Sequence, residues 1–372
     1  MSKIKYFFPI ILLVGALWYF YGEDFKQSGI NGVVNDIQED MKRIQEHPTI
    51  NAVEEKIIQQ FQLWKDKFSD NSGVEDNIIR DKRQADPTEN QSFSMNNIRL
   101  GDEKAEIEKI VGAPKRITMN EYGVNWVTYH NNYQNFIMIA YDKEDKVAGI
   151  YSNQDLLSST MNITFESTRD VILEAYKPLT SIQKGWVHYQ FQHNDEYDIF
   201  RVDGNYVTIF YDKHESNTVT AIQIISKELE DQKKKIFGEP NTKLIEGFEY
   251  QLFDLTNATR VNHGLSILKW NEEVMKTARK HSKDMADNNY FSHTNLDGLS
   301  PFERMENDNI HYVMAGENLA SGQISSIYAH EGLMNSIGHR ENILQKDFEE
   351  LGVGVSFNDE WRPYYTENFL KK

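Results

Sequence analysis

The sequence predicts an α+β protein, with a C-terminal α-β-α sandwich preceded by a duplicated helix-plus-antiparallel-sheet domain. Two observations support this fold class. In the last third of the chain, helical apolar patterns alternate with short strand-like stretches at 351–355 and 364–369, and helices flanking a short antiparallel sheet form a layered sandwich. In the middle third, one pattern of a helix followed by alternating strands occurs twice, which indicates an internal duplication.

Length and composition limit the possible classes of protein. A chain of 372 residues favours two folded units with connecting segments. The net charge of −17, with no basic cluster, argues against a nucleic-acid partner. The absence of cysteine rules out a disulfide framework, a thiolate zinc site and a cysteine nucleophile. A mean hydropathy of −0.63 suits soluble domains rather than a polytopic membrane protein.

Residues 1–22 are predicted to be a membrane anchor or a signal peptide. The uncharged stretch 6–21 follows Lys3 and Lys5, ends in aromatic residues typical of a membrane interface, and has no small-x-small cleavage site after it. We therefore predict a single-pass anchor in the cell membrane, with the C-terminal domains outside the cytoplasm. Because the stretch is short for a membrane span, cleavage and secretion remain the alternative.

Two connecting segments follow. Residues 23–68 carry two apolar stripes with helical spacing, separated by Pro48, and are predicted to form a helical stalk. Residues 69–94 are polar, contain Gly73 and Pro87 and show no period, so they are predicted to be a flexible linker.

Residues 95–240 are predicted to form one domain with two internal repeats. Residues 98–114 and 163–178 share a strand, turn and helix layout, and residues 139–143 are echoed at 209–213. Each half therefore predicts a helix followed by an antiparallel meander. Aromatic side chains in this region are predicted to pack between strands rather than to bind a ligand; they are Tyr141, Trp186, Tyr189 and Tyr211.

Residues 247–372 are predicted to form the last domain, with 241–247 as a short linker before it. Asn271 is a predicted helix N-cap. Residues 300–303 combine Ser, Pro and a Glu three positions after the Ser, which predicts a capping box. His281 lies in the apolar stripe of the helix after Asn271 and is predicted to be a buried, hydrogen-bonded core histidine.

Three short polar motifs in this last domain predict a shared cleft. They are Phe-Ser-His at 291–293, Gly-Glu-Asn at 316–318 and Gly-His at 338–339, all within apolar, glycine-punctuated sequence. Imidazole and carboxylate groups at the edges of buried segments must be hydrogen-bonded, because burying them unpaired costs several kcal/mol. If these groups are hydrogen-bonded to one another or to water, or bind a metal, they lie together in one polar cleft.

These motifs, in this order, resemble the CAP superfamily of cysteine-rich secretory proteins, antigen 5 and plant pathogenesis-related proteins. The bacterial branch is the most similar, and the duplicated region resembles the CAP-associated N-terminal domain of Gram-positive proteins. The resemblance implies the CAP sandwich and a cleft lined by two histidines and two acidic residues. His293 and His339 match the two histidines, and Glu317 matches the first acidic residue.

The fourth cleft position departs from the family pattern. Many members carry a Glu three residues after a helical aromatic residue, whereas here Leu333 takes the aromatic position and Ser336 follows three residues later. Glu331 is nearby in sequence and is included as a cleft candidate. Its separation from Ser336 corresponds to about 140° around a helix, which places it away from that position.

Two kinds of chemistry are open to these groups. His293, His339 and Glu317 with one water would suit a Zn²⁺ ion that activates the water, as in a zinc-dependent hydrolase acting on cell-surface peptide or lipid. Without metal, the same groups can orient one another and bind a polar headgroup or peptide. A purely structural role for the three residues, and a scaffold in which the repeats do the recognising, are further alternatives.

Only three of the four cleft residues that the family resemblance implies are matched, which favours the non-enzymatic interpretation. We predict a membrane-anchored ligand-binding or interaction module at the cell surface. Its ligand is an unknown lipid, peptide or wall component, and the hydrolase is the alternative.

Overall fold

The computed structural model describes residues 91–191 and 195–372. The predicted anchor at 1–22, the stalk at 23–68 and the linker as far as residue 90 lie outside the described residues. Within the described ranges, no helix is both long and apolar enough to cross a membrane. The described residues belong to one compact unit, Asp81–Lys372.

The first part of this unit, the sheet region, is dominated by short antiparallel strands. Its elements in chain order are β1 (Phe93–Met95), α1 (Lys104–Val111), β2 (Arg116–Met119), β3 (Asn125–Asn131), β4 (Gln134–Tyr141), β5 (Val147–Ser152), β6 (Leu157–Ser159), α2 (Arg169–Ala175), β7 (Ser181–Lys184), β8 (Val187–Gln190), β9 (Tyr197–Val202), β10 (Asn205–Asp212), β11 (Thr218–Ile225) and α3 (Lys227–Gln232). A seven-stranded sheet has the order β2-β3-β4-β5-β11-β10-β9, while β1 pairs with β6 and β7 with β8.

The predicted duplication is confirmed by the strand pairing. The meander β3-β4-β5 of the first half joins the meander β9-β10-β11 of the second through antiparallel pairing of β5 with β11. The register shifts between Ala140 and Tyr141 in β4, and again between Phe210 and Tyr211 in β10. Equivalent strands therefore bulge at equivalent residues, and a bulge increases the local twist of the sheet.

Alternation along the strands gives the sheet two buried faces. On one face, Ile139 and Ile209 share a core with Ile107 of α1 and Ile172 of α2. On the other face, residues such as Met138 belong to a core that includes the second part of the unit. The sheet is therefore covered on both sides.

Aromatic residues of this region divide into two groups. Tyr141 and Tyr211 are buried, as the packing interpretation predicts. Trp186 lies in the two-residue turn between β7 and β8 and is 99% exposed, so the packing prediction is wrong for this residue.

The second part of the unit, the sandwich region, begins with a long helix. Its elements are α4 (Thr242–Asn262), β12 (Lys269–Trp270), α5 (Glu272–Asn288), α6 (Pro301–Asn307), β13 (Met314–Ser321), α7 (Ser326–Met334), α8 (Ile337–Ile343), β14 (Glu350–Phe357) and β15 (Pro363–Lys371). The four-stranded sheet has the order β12-β14-β15-β13 and is antiparallel except where β12 meets β14.

Strand β14 shows how the three layers form. Val353 and Val355 pack in one core with Phe248 and Leu252 of α4. The alternate residues face α5, where a Cβ on Gly354 would lie only 2.0 Å from the backbone nitrogen of Arg279. The sheet lies between α4 and α5, which confirms the predicted α-β-α sandwich.

Local end signals in this region were predicted correctly. The Asn271 side chain accepts hydrogen bonds from the backbone N–H groups of Glu273 and Val274 at the start of α5. Ser300 and Glu303 form a reciprocal capping box at the start of α6. Both caps satisfy backbone donors that a helix start leaves unpaired.

Two predicted linkers need correction. Residues 93 and 94, assigned to the flexible linker, are buried in β1. Residues 242–247, assigned to a second linker, form the first turns of α4, with Asn241 as its N-cap. Gly247 marks a close approach rather than a break, because a Cβ there would lie 2.1 Å from the carbonyl oxygen of Met119. The domain boundaries predicted at 95–240 and 247–372 stay predictions, because both regions belong to one compact unit.

Candidate ligand-binding cleft

The loop after α5 places His293, and two buried side chains hold its backbone. His281 is 1% exposed, and its Nε2 donates to the Ser292 carbonyl at 2.9 Å, so the predicted core histidine is confirmed. Arg304 of α6 donates to the carbonyls of His293 at 2.6 Å and Leu299 at 3.0 Å. Three backbone carbonyls are thereby fixed, which restrains the loop around His293.

Glu317 lies on β13 and connects this loop to the sheet. Its side chain is 1% exposed. Its Oε2 accepts from Nη2 of Arg304 at 2.5 Å, and its Oε1 accepts from Nδ1 of His293 at 2.9 Å. Because Nδ1 is the donor, Nε2 is the nitrogen that His293 leaves for a ligand. The His293 side chain is 53% exposed, so this imidazole is oriented from behind and open to solvent.

His339 lies in the first half of α8, close to His293. Its Nδ1 and the Oγ of Ser336 are 2.8 Å apart. Burial lowers the pKa of His339, and the charge of His293 lowers that pKa further. The two imidazoles are therefore within electrostatic reach of each other, on different elements.

Two hydrogen-bonded amides, Asn318 and Asn342, fix α8 against β13. Asn318 donates through Nδ2 to the His339 carbonyl at 3.2 Å and to Oε2 of Glu367 at 3.1 Å. Asn342 donates to Oδ1 of Asn318 at 2.9 Å. Glu367 also accepts from the Thr256 hydroxyl at 2.9 Å. The backbone of His339 is thus tied through β13 to β15 and α4.

Sequence reasoning missed four of these supporting residues. Asn318 is the last residue of the Gly-Glu-Asn motif and Asn342 follows the Gly-His motif by three residues, so their place in or near the motifs was the available signal. Arg304 and Glu367 carried no such signal, because their roles depend on α6 and β15 meeting β13 in three dimensions.

Glu331 does not belong to the cleft, which corrects the sequence prediction. It lies on α7, and its Oε1 accepts from the hydroxyl of Tyr151 on β5 at 2.8 Å. It lines a different cavity, between the sheet region and the sandwich region. Ser336 lies beyond the end of α7, as the N-cap of α8, so the two residues do not share a helix, and Glu331 contacts the sheet region instead. The structure brings together His293, Glu317 and His339, without Glu331.

The predicted zinc set does not fit this geometry. In the part of the chain that the structure describes, no three His, Asp or Glu side chains are grouped so that they could hold a metal ion. Both oxygens of Glu317 are engaged, one by the Arg304 cation and one by His293. That leaves two imidazole nitrogens, whereas catalytic zinc sites use three protein ligands and structural sites four.

The sandwich, its cleft and the preceding duplicated sheet together define a bacterial CAP protein. Residues 253–369 match the model of the cysteine-rich secretory protein family, CAP, and residues 100–236 match the model of the CAP-associated N-terminal domain. The chain is 31% identical over 292 residues to the uncharacterized membrane protein YlbC of Bacillus subtilis strain 168, covering 73% of this chain and 82% of that protein. The chain belongs to the CAP family and carries the CAP-associated N-terminal domain.

Further relatives match parts or most of the chain. The uncharacterized protein YkwD of Bacillus subtilis strain 168 is 40% identical over 129 residues, covering 34% of this chain and 49% of that protein. An extracellular protein with an SCP domain from Bacillus anthracis str. Ames has a TM-score of 0.64 at 25% identity, covering 79% of this chain and all of that one. A cysteine-rich secretory protein from Staphylococcus aureus Mu50 has a TM-score of 0.59 at 16% identity over 73% of this chain and 91% of that one, and shows the fold alone.

Proposed function

We propose that this chain is a membrane-attached, extracytoplasmic CAP protein whose cleft binds a cell-surface ligand without converting it. One observation carries the proposal. Glu317 is buried, paired with Arg304 and hydrogen-bonded to Nδ1 of His293, so it orients an imidazole that is half exposed. A group held in this way offers a fixed hydrogen-bonding nitrogen at little entropic cost on binding.

The surroundings of the two imidazoles support an amphipathic ligand. Phe291 and Leu296, on the loop that carries His293, are 54% and 62% exposed, and Ile337, two residues before His339, is 46% exposed. These exposed apolar side chains lie on the two segments that carry the imidazoles, so they could contact the apolar part of a ligand. A lipid, peptide or wall component with both a polar and an apolar part fits this arrangement.

The chemistry of the cleft favours binding over catalysis. Ser336 and His339 are within hydrogen-bonding distance, which is the geometry of a nucleophile and its base. In the described residues, however, no carboxylate is hydrogen-bonded to the other nitrogen of His339. Glu317 already serves Arg304 and His293. The oriented base that a serine hydrolase requires is therefore incomplete.

The cellular location in this proposal rests on the N-terminal prediction and on relatives. The Bacillus subtilis protein that matches 73% of this chain is named a membrane protein. The Bacillus anthracis structure is of an extracellular protein. Both agree with an anchor at 1–22 and with the folded unit outside the cytoplasm.

The test compares cleft variants of the full chain in detergent micelles. Binding is measured to Gram-positive wall sacculi, to vesicles of total bacterial lipid and to a peptide pool. We expect at least one of these probes to bind, and His293→Ala and His339→Ala to weaken that binding about tenfold or more. His311→Ala removes an exposed histidine that lines a different cavity, and should bind like the wild type. Unchanged binding by both cleft variants would contradict the proposal.

Metal analysis separates the proposal from the zinc hydrolase. After equilibration with zinc at physiological free concentration, the full chain should retain less than one zinc ion per molecule. His293→Ala should retain the same amount. Stoichiometric zinc that is lost in His293→Ala would support the hydrolase instead.

A further inference from the structure

A second cavity lies between the sheet region and the sandwich region, and the cleft residues do not contribute to it. Its volume is about 350 Å³. Residues from both regions line it. They include Tyr197 and Phe210 of the sheet region and Gln323, Tyr328, Glu331 and Arg362 of the sandwich region. This volume is near the lower end for small-molecule sites.

Glu331 is the most unusual group in the wall of this cavity. The residue is 3% exposed. Its Oε1 accepts from Tyr151, while its Oε2 has no hydrogen bond or ion pair with any described residue. Burial raises the pKa of Glu331 to about 7, although the hydrogen bond from Tyr151 and, to a smaller extent, the charge of Arg340 lower it. A buried carboxylate without a cationic partner is costly, and a bound cation would remove that cost.

The aromatic wall suits the same kind of cation. The Tyr328 ring meets the Tyr197 ring edge-on at 5.0 Å and the Phe210 ring at 5.1 Å between centroids. The faces of aromatic rings attract ammonium groups. The carboxylate therefore favours an organic ammonium over a neutral ligand, and Tyr197, the most exposed of the three rings, is the one that can contact it.

Arg362 and Gln323 offer a guanidinium and an amide oxygen for which a simple amine ligand would have too few partner groups. Arg362 lies at the exposed edge of the cavity, and its guanidinium forms no ion pair with any described residue. Oε1 of Gln323 is buried and has no hydrogen-bond partner in the described residues. A guanidinium recognises carboxylates, and an amide oxygen accepts from an N–H group.

We propose that this cavity binds a small zwitterion that carries an ammonium and a carboxylate, namely a free amino acid or a short peptide. The ammonium pairs with Glu331 against the aromatic wall, and the carboxylate pairs with Arg362. Gln323 accepts a hydrogen bond from the ligand's N–H. This site is separate from the cleft and does not depend on the function proposed for it.

The first experiment identifies the ligand class. The full chain in detergent micelles is mixed with a panel of free amino acids and dipeptides, and binding is detected by saturation-transfer NMR. The strongest binder is then compared by calorimetry with its N-acetylated form and with its C-terminal amide. We expect the N-acetylated form to bind at least about tenfold more weakly and the amide to bind more weakly as well. Absence of binding across the panel, or equal binding of the N-acetylated form, would overturn the proposal.

Variants then assign the two ends of the ligand. Glu331→Gln keeps the side-chain size and an oxygen for Tyr151, and should weaken binding about tenfold or more. Arg362→Gln alters an exposed side chain that does not endanger folding, and should abolish the preference for the free carboxylate over the amide. His293→Ala in the cleft should bind the zwitterion like the wild type. Wild-type binding by Glu331→Gln, or a preserved carboxylate preference in Arg362→Gln, would refute the assignment.

Discussion

Arg304 determines what Glu317 can do. A carboxylate near two histidines suggests a metal ligand from sequence, yet its pairing with a buried guanidinium makes it an anion that orients His293. The motifs identified His293, Glu317 and His339. They did not identify Arg304, because nothing in the spacing of a capping-box helix shows which strand its arginine will reach. At this scale the sequence identifies groups, and tertiary packing determines their partners.

The buried pair gives a stability prediction. Glu317→Gln keeps the hydrogen bond to His293 but leaves the guanidinium of Arg304, whose side chain is 7% exposed, without its counter-ion. We expect a loss of about 3 kcal/mol in the free energy of unfolding, measured by urea denaturation. Glu303→Gln, at the exposed capping box, should lose much less, because Gln can also close a capping box. Equal losses would show that the buried pair has no special role.

Glu367 gives a pH prediction. Burial raises its pKa from 4.5 to about 7, although Asn318 and Thr256 donate to it and lower the pKa. Folding therefore favours the protonated form. The corresponding stability is complete below pH 4.5 and is lost as pH rises through about 7.

The measurement is urea unfolding of wild type and Glu367→Gln from about pH 4 to about pH 8, which spans the interval from 4.5 to about 7 between the two pKa values of Glu367. Relative to the variant, the wild type should lose about 3 kcal/mol across this range. Parallel pH profiles for the two proteins would mean that Glu367 keeps its ordinary pKa in the folded state.

At the scale of elements, periodicity and caps predicted more than glycines did. The stripe containing His281 and the cap at Asn271 predicted α5 because both signals are local. The start of α4 was missed, since Gly247 was interpreted as a linker residue. Its role is contact with the backbone of Met119 on β2, a distant segment of the chain. A glycine used for close packing and a glycine used for a turn look the same in sequence.

Two glycines of the sandwich region test this distinction. A Cβ on Gly354 would lie 2.0 Å from the backbone nitrogen of Arg279, so Gly354→Ala must displace α5 from β14. We expect a loss of about 3 kcal/mol or more, measured as the free energy of unfolding. Gly338 lies in α8 with nothing within 4 Å of its Cβ position, and Gly338→Ala should be stabilising by about 1 kcal/mol. A small change in the free energy of unfolding for Gly354→Ala would mean that α5 and β14 are less closely packed than this Cβ distance indicates.

At the scale of the whole molecule, the sheet region and the sandwich region share one core. Met138 of β4 and Leu255 of α4 belong to the same buried cluster. Polar contacts cross the same boundary: Asp254 accepts from Arg116 and from the Tyr133 hydroxyl, at 2.8 and 2.9 Å. The sequence predicted two domains because each half has its own pattern. The pattern does not show that the second face of the sheet is buried against α4 and α7, since apolar alternation is the same whichever partner covers it.

A shared core predicts that the two regions unfold together. Met138→Ala removes a fully buried side chain from the sheet face that packs against the sandwich region. The free energy of unfolding should fall by about 2 to 5 kcal/mol. In hydrogen exchange followed by mass spectrometry, amides of β14 and β15 should lose protection to the same extent as amides of β4 and β10, because one opening exposes all of them. Ile117→Ala, at a side chain that is 57% exposed on β2, should leave exchange unchanged. If β14 and β15 kept wild-type protection in Met138→Ala, the regions would be independent domains, and a cavity formed by residues of both would open whenever the sheet region unfolded.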